Sequence, residues 1–288
     1  MMEKCDAKNQ IMTIESGYVL GTTNQELQRL QRQHAIWRDD ALAGWQRAGF
    51  AAGQRLLDLG CGPGFASFDL ARLVGATGEL LALDNSPVYL EHLQKQAQLL
   101  QLYQLRSQLF DLASCDSALE LISQHGVGWD GAWCRWLAMF LPDATKLVQL
   151  VASMLRPGGR LVLHEYVHWD TYALYPRGRS VALFVERCIQ HWQSHGGDPH
   201  VARRMPALLE AQGLRLIDSR SLMACCPSDQ PKAIWLQDFL GSYGPTLASA
   251  GLWSSSEQLE LDEEIYQSQL HPSFWVTPAL VEMIWEQP

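Results

Sequence analysis

Apolar residues come in short blocks, and most blocks close on an acid or a glycine turn. The run from Leu56 to Asp58, Glu79–Asp84, Leu105–Phe110, Trp129–Cys134 and Arg160–Tyr166 read as strands. The first two are apolar enough to be covered on both faces, as parallel strands are. Helical stretches lie between them. Phe65–Val74 is one, ending in a turn at Gly75–Gly78, and another opens at Ser86-Pro87, an N-cap with proline in the first turn, and runs to about Leu102. Upstream, Leu27, Leu30, His34, Trp37, Ala41 and Trp45 recur at helical spacing within residues 23–48. Thr23-x-x-Glu26 opens that stretch as a capping-box pattern and Gly49 stops it. Downstream the pattern predicts helices over 179–195, 200–212, 231–249 and 256–270, with Ser254-x-x-Glu257 a second capping-box pattern. Leu214–Met223 and Ala279–Trp285 read as the last two strands.

The first strand carries the most specific signal. It ends at Asp58, and Gly60, Gly62 and Gly64 follow at alternate positions. Glycine permits positive φ and lets a ligand lie against the backbone without meeting a Cβ. The next helix aims its free N–H groups at the same spot. Together they predict a nucleotide-cofactor pocket at the carboxyl end of a strand. The spacing is not the dinucleotide G-x-G-x-x-G, since Phe65 stands where the third glycine would fall, and no Gly-Lys-Ser/Thr follows as in a P-loop. Asp84, which ends the second strand 20 residues after Gly64, stands where a carboxylate accepts from both ribose hydroxyls.

Residues 56–64, Asp84 and the phrase Leu155-Arg-Pro-Gly-Gly-Arg-Leu161 make the chain resemble class I S-adenosylmethionine methyltransferases of the ubiquinone/menaquinone-biosynthesis-like superfamily, from roughly Thr13 to Pro288. The resemblance implies an α/β, Rossmann-like seven-stranded sheet, helices on both faces, and strand seven antiparallel between strands five and six. It implies S-adenosyl-L-methionine as cofactor and S-adenosyl-L-homocysteine as product. Asp58, Gly60, Cys61, Gly62 and Gly64 would form the loop beside it, Asp84 and Asn85 the ribose side, and Asp111 and Leu112 the adenine side. Arg135 would lie beside the methionine part, pairing its carboxylate or the substrate, with a salt bridge elsewhere as the alternative. Tyr18 resembles a tyrosine that reaches the methionine end, or it packs under the lid. The expected organisation is a lid segment at 1–50, the core at 51–166, cap insertions at 167–213 and 227–278, and closing strands at 214–226 and 279–288. The cap is dense in aromatic residues, among them Trp169, Tyr172, Tyr175, Phe184, Trp192, Trp235, Phe239, Tyr243, Trp253, Phe274 and Trp275. Such walls suit an apolar or aromatic ligand, or simply form the cap's core.

Methyl transfer to a hydroxyl requires removal of a proton, and His164-Glu-Tyr-Val-His168 lies past strand five, where a base would face the methyl group. His164 and then His168 are the candidate bases, against a structural role for either. His191-x-x-x-His195 with His200 lacks the H-E-x-x-H pattern, so no metal is expected. A formal net charge of −9 over 288 residues, with no Lys/Arg run, counts against nucleic-acid partners. No apolar run reaches a membrane span and the first residues lack a signal core, which makes a cytoplasmic enzyme the expectation. The seven cysteines, in no regular pattern, fit reduced thiols. Oligomeric state is not fixed, with a homodimer left open. The reading is a methyltransferase acting on a small, apolar or aromatic molecule, O-methylation ahead of N- or C-. Modification of a macromolecule, and cofactor binding without methyl transfer, remain the alternatives.

Overall fold

A computed structural model describes residues 23–114 and 116–288. The chain opens with α1 (Asn24–Arg47), whose N-cap Thr23 accepts from Glu26 N at 3.2 Å. Then strands and helices alternate: β1 (Arg55–Leu59), α2 (Phe65–Val74), β2 (Glu79–Asp84), α3 (Pro87–Leu99), β3 (Leu105–Leu109), α4 (Ala118–His125), β4 (Trp129–Arg135), α5 (Ala144–Met154) and β5 (Leu155–His168). The sheet closes with β7 (Arg215–Ser221) and β10 (Ala279–Glu286), in the order β3-β2-β1-β4-β5-β10-β7. Strands β1 to β5 are parallel, and β10 runs antiparallel between β5 and β7. This is the expected Rossmann-like sheet with its last strand reversed.

The Arg156-Pro-Gly-Gly159 segment is a bulge inside β5 rather than a turn before it. Trp129 of β4 pairs with Leu155 and Gly131 with Arg160, so the intervening residues loop out of register. The remaining elements are β6 (Ala173–Tyr175), α6 (Arg179–Ser194), α7 (Met205–Ala211), β8 (Cys225–Pro227), α8 (Pro231–Ser249), α9 (Ser255–Leu270) and β9 (Phe274–Val276). Where the pattern predicts one helix over 200–212, the chain forms a 3-10 turn at Val201–Arg203 and then the short α7. Strands β6, β9 and β8 make a small second sheet that periodicity did not predict, because three-residue strands are too short to show one. Ser254 and Glu257 complete the capping box that starts α9.

Helix α1 packs against α8 and α2 and meets the sheet near its C-terminal end. Its close approach depends on Gly44, where any Cβ would collide with the Glu282 carboxylate of β10. Trp37 and Trp45, fully buried, fill the space between α1 and its neighbours.

Candidate active site

One cavity of about 230 Å³ opens where β1, β2, β3 and β4 end. Its two ends differ in chemistry. The first is built from the loop after β1. Gly60, Gly62 and Gly64 hold φ of 70°, 52° and 90°, which residues with a Cβ rarely adopt. Gly64 is also the N-cap of α2, and a Cβ there would stand 2.7 Å from Leu93. Gly62 N donates to Asp84 Oδ2 at 2.8 Å and Ser86 N to Oδ1 at 2.9 Å, so Asp84 ties the loop to the next strand. Burial raises the Asp84 pKa against those N–H bonds. The Asn85 N–H also bonds this carboxylate, so of its roughly four lone-pair sites about one is left to accept from a ribose hydroxyl.

Asp58 is buried and accepts from Ser67 Oγ at 2.6 Å; burial pushes its pKa up to about 7. Cys61, Asn85, Asp111 and Leu112 line the same end. Tyr18 lies outside the described residues.

Arg135, at the end of β4, lines the cavity between the rings of Trp133 and Trp136. Its Nη2 donates to His34 Nδ1 at 3.1 Å, which leaves His34 Nε2 as the donor to Asp69 Oδ2, also at 3.1 Å. The Nη1 of Arg135 is buried without a hydrogen-bond partner among the described residues, and burial lowers the group's pKa to about 10. A buried guanidinium among the residues that line a cavity calls for an anionic oxygen.

The other end is aromatic. Trp136 stacks between Tyr166 and Trp235, with centroids 5.8 and 5.3 Å away and both interplanar angles 18°. Trp169, Trp192 and Phe239 face them. Of the cap aromatics named from the sequence, Trp169, Tyr172, Trp192, Trp235 and Phe239 line the cavity. Phe184, Tyr243, Trp253 and Trp275 are instead buried in the cap, while Tyr175 and Phe274 are exposed.

Neither candidate base lines this cavity, which corrects the expectation that His164 or His168 faces the methyl group, although Tyr166, Trp169 and Tyr172 of the same stretch do line it. His164 is fully buried beneath α1, with Nε2 2.6 Å from Glu282 Oε2 and its ring edge-on to Trp133. Burial lowers its pKa, favouring the neutral ring. Burial opposes the charge on Glu282 too, but bonds from His164 and Arg220 hold its pKa at about 2. Arg47 adds a further contact to the same carboxylate. His164 therefore belongs to the ion cluster that fastens α1 to β10.

His168 is exposed, and its Nδ1 accepts from Arg203 Nη2 at 2.6 Å. His168, Asp170 and His200 bring ligand-type atoms within 4.8 Å of one another, but that guanidinium already stands among them. His191 and His195 pair with Tyr243 and a backbone carbonyl.

His34 and Asp69 were not singled out as site residues. His34 sits at a core-facing position of an amphipathic helix, where periodicity reads it as packing, and Asp69 lies in the next helix. Only the contact between the two helices makes them a pair.

A family model described as a methyltransferase domain matches residues 51–204. The chain belongs to this family. It is an S-adenosylmethionine-dependent methyltransferase. A ubiquinone biosynthesis O-methyltransferase from Xanthomonas axonopodis pv. citri (strain 306) is 30% identical over 172 residues, 60% of this chain and 67% of that protein. A methyltransferase named GfsG from Streptomyces halstedii is 26% identical over 219 residues, 74% of this chain and 70% of the relative. Among solved structures, geranyl diphosphate C-methyltransferase from Streptomyces coelicolor A3(2) shares the fold at TM-score 0.55 and 16% identity, covering 94% of this chain and 89% of that one. The [4+2]-cyclase SpnF shares it at TM-score 0.53 and 16% identity, covering 89% and 82%. The cofactor fits the residues present: a glycine loop that leaves open space at Gly62, where a Cβ would meet nothing within 4 Å, a buried acid that gathers the N–H groups around it, and a buried arginine in the cavity lining. S-adenosylmethionine supplies an electrophilic methyl group on a sulfonium; the protein's task is to align an acceptor and exclude water.

Proposed function

We propose that this enzyme methylates a small molecule with an apolar or aromatic body, at oxygen, with the cofactor at the glycine-loop end of the cavity and the acceptor at the aromatic end. The observation that carries this reading is the continuity of the two ends in one cavity, with Arg135 and Trp136, consecutive residues, standing between them. Asp58, Gly60, Cys61, Gly62, Gly64, Asp84, Asn85, Asp111, Leu112 and Arg135 serve the cofactor in this reading. Residues 167–213 and 227–278 form the substrate cap in this reading and α1 belongs to the lid; the first 22 residues of the lid segment expected at 1–50 lie outside the described residues. Net charge −9 argues for a metabolite rather than a nucleic acid. No helix among the described residues is long and apolar enough to cross a membrane, which agrees with a cytoplasmic enzyme.

An oxygen acceptor must lose a proton. His34 is the imidazole among the described lining residues, and Asp69 fixes its tautomer, so His34 takes the role first sought at His164 and His168. Its Nδ1 lone pair becomes available when the Arg135 guanidinium turns to an anionic oxygen of the bound ligands. His34→Asn should slow single-turnover methylation, and a rate unchanged from wild type would remove His34 from the role.

The reading is tested by incubating the protein and labelled S-adenosylmethionine with a cell extract, then separating metabolites, protein and nucleic acid. Label in the organic-soluble fraction is expected, and mass spectrometry of that product identifies the acceptor atom. Label in protein or nucleic acid would overturn the substrate class.

A further inference from the structure

The turn after β4 is the strained part of the site. Trp136 has φ of 53°, and a bulky side chain in the left-handed region is an outlier that its surroundings must hold. Three hydrogen bonds hold it. Trp136 N donates to His164 O at 3.0 Å, Leu137 N to Glu165 Oε1 at 2.8 Å, and Ala138 N to the same oxygen at 2.7 Å. Glu165 is fully buried and points to the opposite face of β5 from His164 and Tyr166, away from the cavity. It touches neither end, yet the turn it anchors reaches both. The Trp136 ring forms the middle of the aromatic wall. The Leu137 side chain lies over Gly60, so close that a Cβ there would stand 2.9 Å from Leu137 Cδ1.

We infer that Glu165 is a positioning residue: by taking the Leu137 and Ala138 N–H groups on one buried oxygen, it sets the height of the cofactor loop through Leu137 and the plane of the acceptor wall through Trp136. The inference rests on the proposed division of the cavity into cofactor and acceptor ends. An apolar residue at 165 would leave two buried N–H donors without an acceptor, a loss that the strained backbone of Trp136 cannot absorb. Burial raises the Glu165 pKa to about 8, so a neutral side chain with the same acceptor oxygen is a fair substitute. That makes Glu165→Gln the conservative variant and Glu165→Met the disruptive one.

The experiment measures amide hydrogen exchange at Leu137 and Ala138 and calorimetric affinity for S-adenosylhomocysteine, with circular dichroism to confirm folding. In Glu165→Met, exchange at both amides should rise about ten-fold or more, and affinity should fall by about ten-fold. Glu165→Gln should stay within about three-fold of wild type on both measures. A folded Glu165→Met that keeps both amides protected and binds within about two-fold of wild type overturns the inference. Should Glu165→Met fail to fold, Leu137→Ala carries the test. It keeps both N–H bonds and removes only the contact over Gly60, so affinity should fall several-fold while protection persists, and unchanged affinity overturns the coupling. A wild-type protein that does not bind S-adenosylhomocysteine would count against the cofactor reading instead, because the exchange measurement needs no ligand.

Discussion

The two ends of the cavity are built in opposite ways. The cofactor end comes mainly from consecutive residues, 58–64, with Asp84 one strand and one helix later. Its geometry is set by backbone: three positive φ values and the N–H groups of Gly62 and Ser86 on one carboxylate. The aromatic end comes from scattered segments. Trp136 follows β4, Tyr166 lies in β5, Trp169 follows it, Trp192 ends α6, and Trp235 and Phe239 lie one turn apart on α8. Its geometry is set by ring packing. A backbone-defined site tolerates little variation, because every atom of the loop is fixed by hydrogen bonds and sterics. A side-chain-defined wall can be re-cut residue by residue, which suits a pocket whose shape decides its substrate.

That contrast can be broken most severely at Gly64. Gly64→Val puts a β-branched residue at φ 90° with a Cβ 2.7 Å from Leu93. The cost should reach about 3 kcal/mol or more from backbone strain and overpacking together. Denaturant melts would show it, and a variant as stable as wild type would mean the loop adopts another conformation. Gly62→Ala is the control, since nothing lies within 4 Å of its Cβ and only φ 52° opposes it; it should cost about 1–2 kcal/mol.

Asp84→Ala comes next. It removes the acceptor for two loop N–H groups and for the ribose, so calorimetry with S-adenosylhomocysteine should show a loss of about 1–3 kcal/mol. Unchanged affinity would place the ribose elsewhere.

A smaller effect, specific to pH, belongs to Asp58. Its folded pKa, about 7, lies above its unfolded value because the carboxyl is buried. Between those values the native state binds more protons than the unfolded chain. The stability it contributes is therefore complete below the unfolded pKa and is drawn down as pH rises toward 7. Asp58→Asn should gain on wild type by about 1 kcal/mol or more between pH 5 and pH 8. Parallel pH profiles for the two proteins would show that Asp58 is ionised at no such cost.

The smallest change sharpens the comparison from the other side. Phe239→Leu trims a ring that meets Trp169 edge-on at 5.5 Å and stacks on Tyr243 at 5.2 Å. The acceptor's KM should rise about three- to ten-fold, the worth of one aromatic contact, while S-adenosylhomocysteine affinity stays within about two-fold. A matching loss of cofactor affinity would mean that the two ends are not separable.

Particular residues show how much of this was legible in advance. The order of the core strands, helices α2 and α3 and the α8 boundaries Pro231–Ser249 match the pattern of the chain, and the reversed last strand matches what the family resemblance implies. Caps at Ser86 and Ser254 were equally plain, because each is a contact within four residues. His164 shows the limit. Strand alternation puts it on the face shared with Tyr166, and that is where it lies, but Glu282, far along the chain, holds it under α1 instead of leaving it in the cavity. Which of two residues on one strand face meets the ligand depends on what packs against each: His164 is held by Glu282 and lies edge-on to Trp133, whereas Tyr166 stacks on Trp136 and lines the cavity.

The sequence by itself determined the fold family, the glycine loop and its acid, because those depend on short-range backbone chemistry and on strand periodicity. Only the tertiary structure decided which cap aromatics face the ligand, that His34 rather than His164 lines the cavity, and that Glu165 holds a strained turn from behind. Each of these is a meeting of residues distant in the chain, governed by which faces pack together, and local pattern carries no record of that.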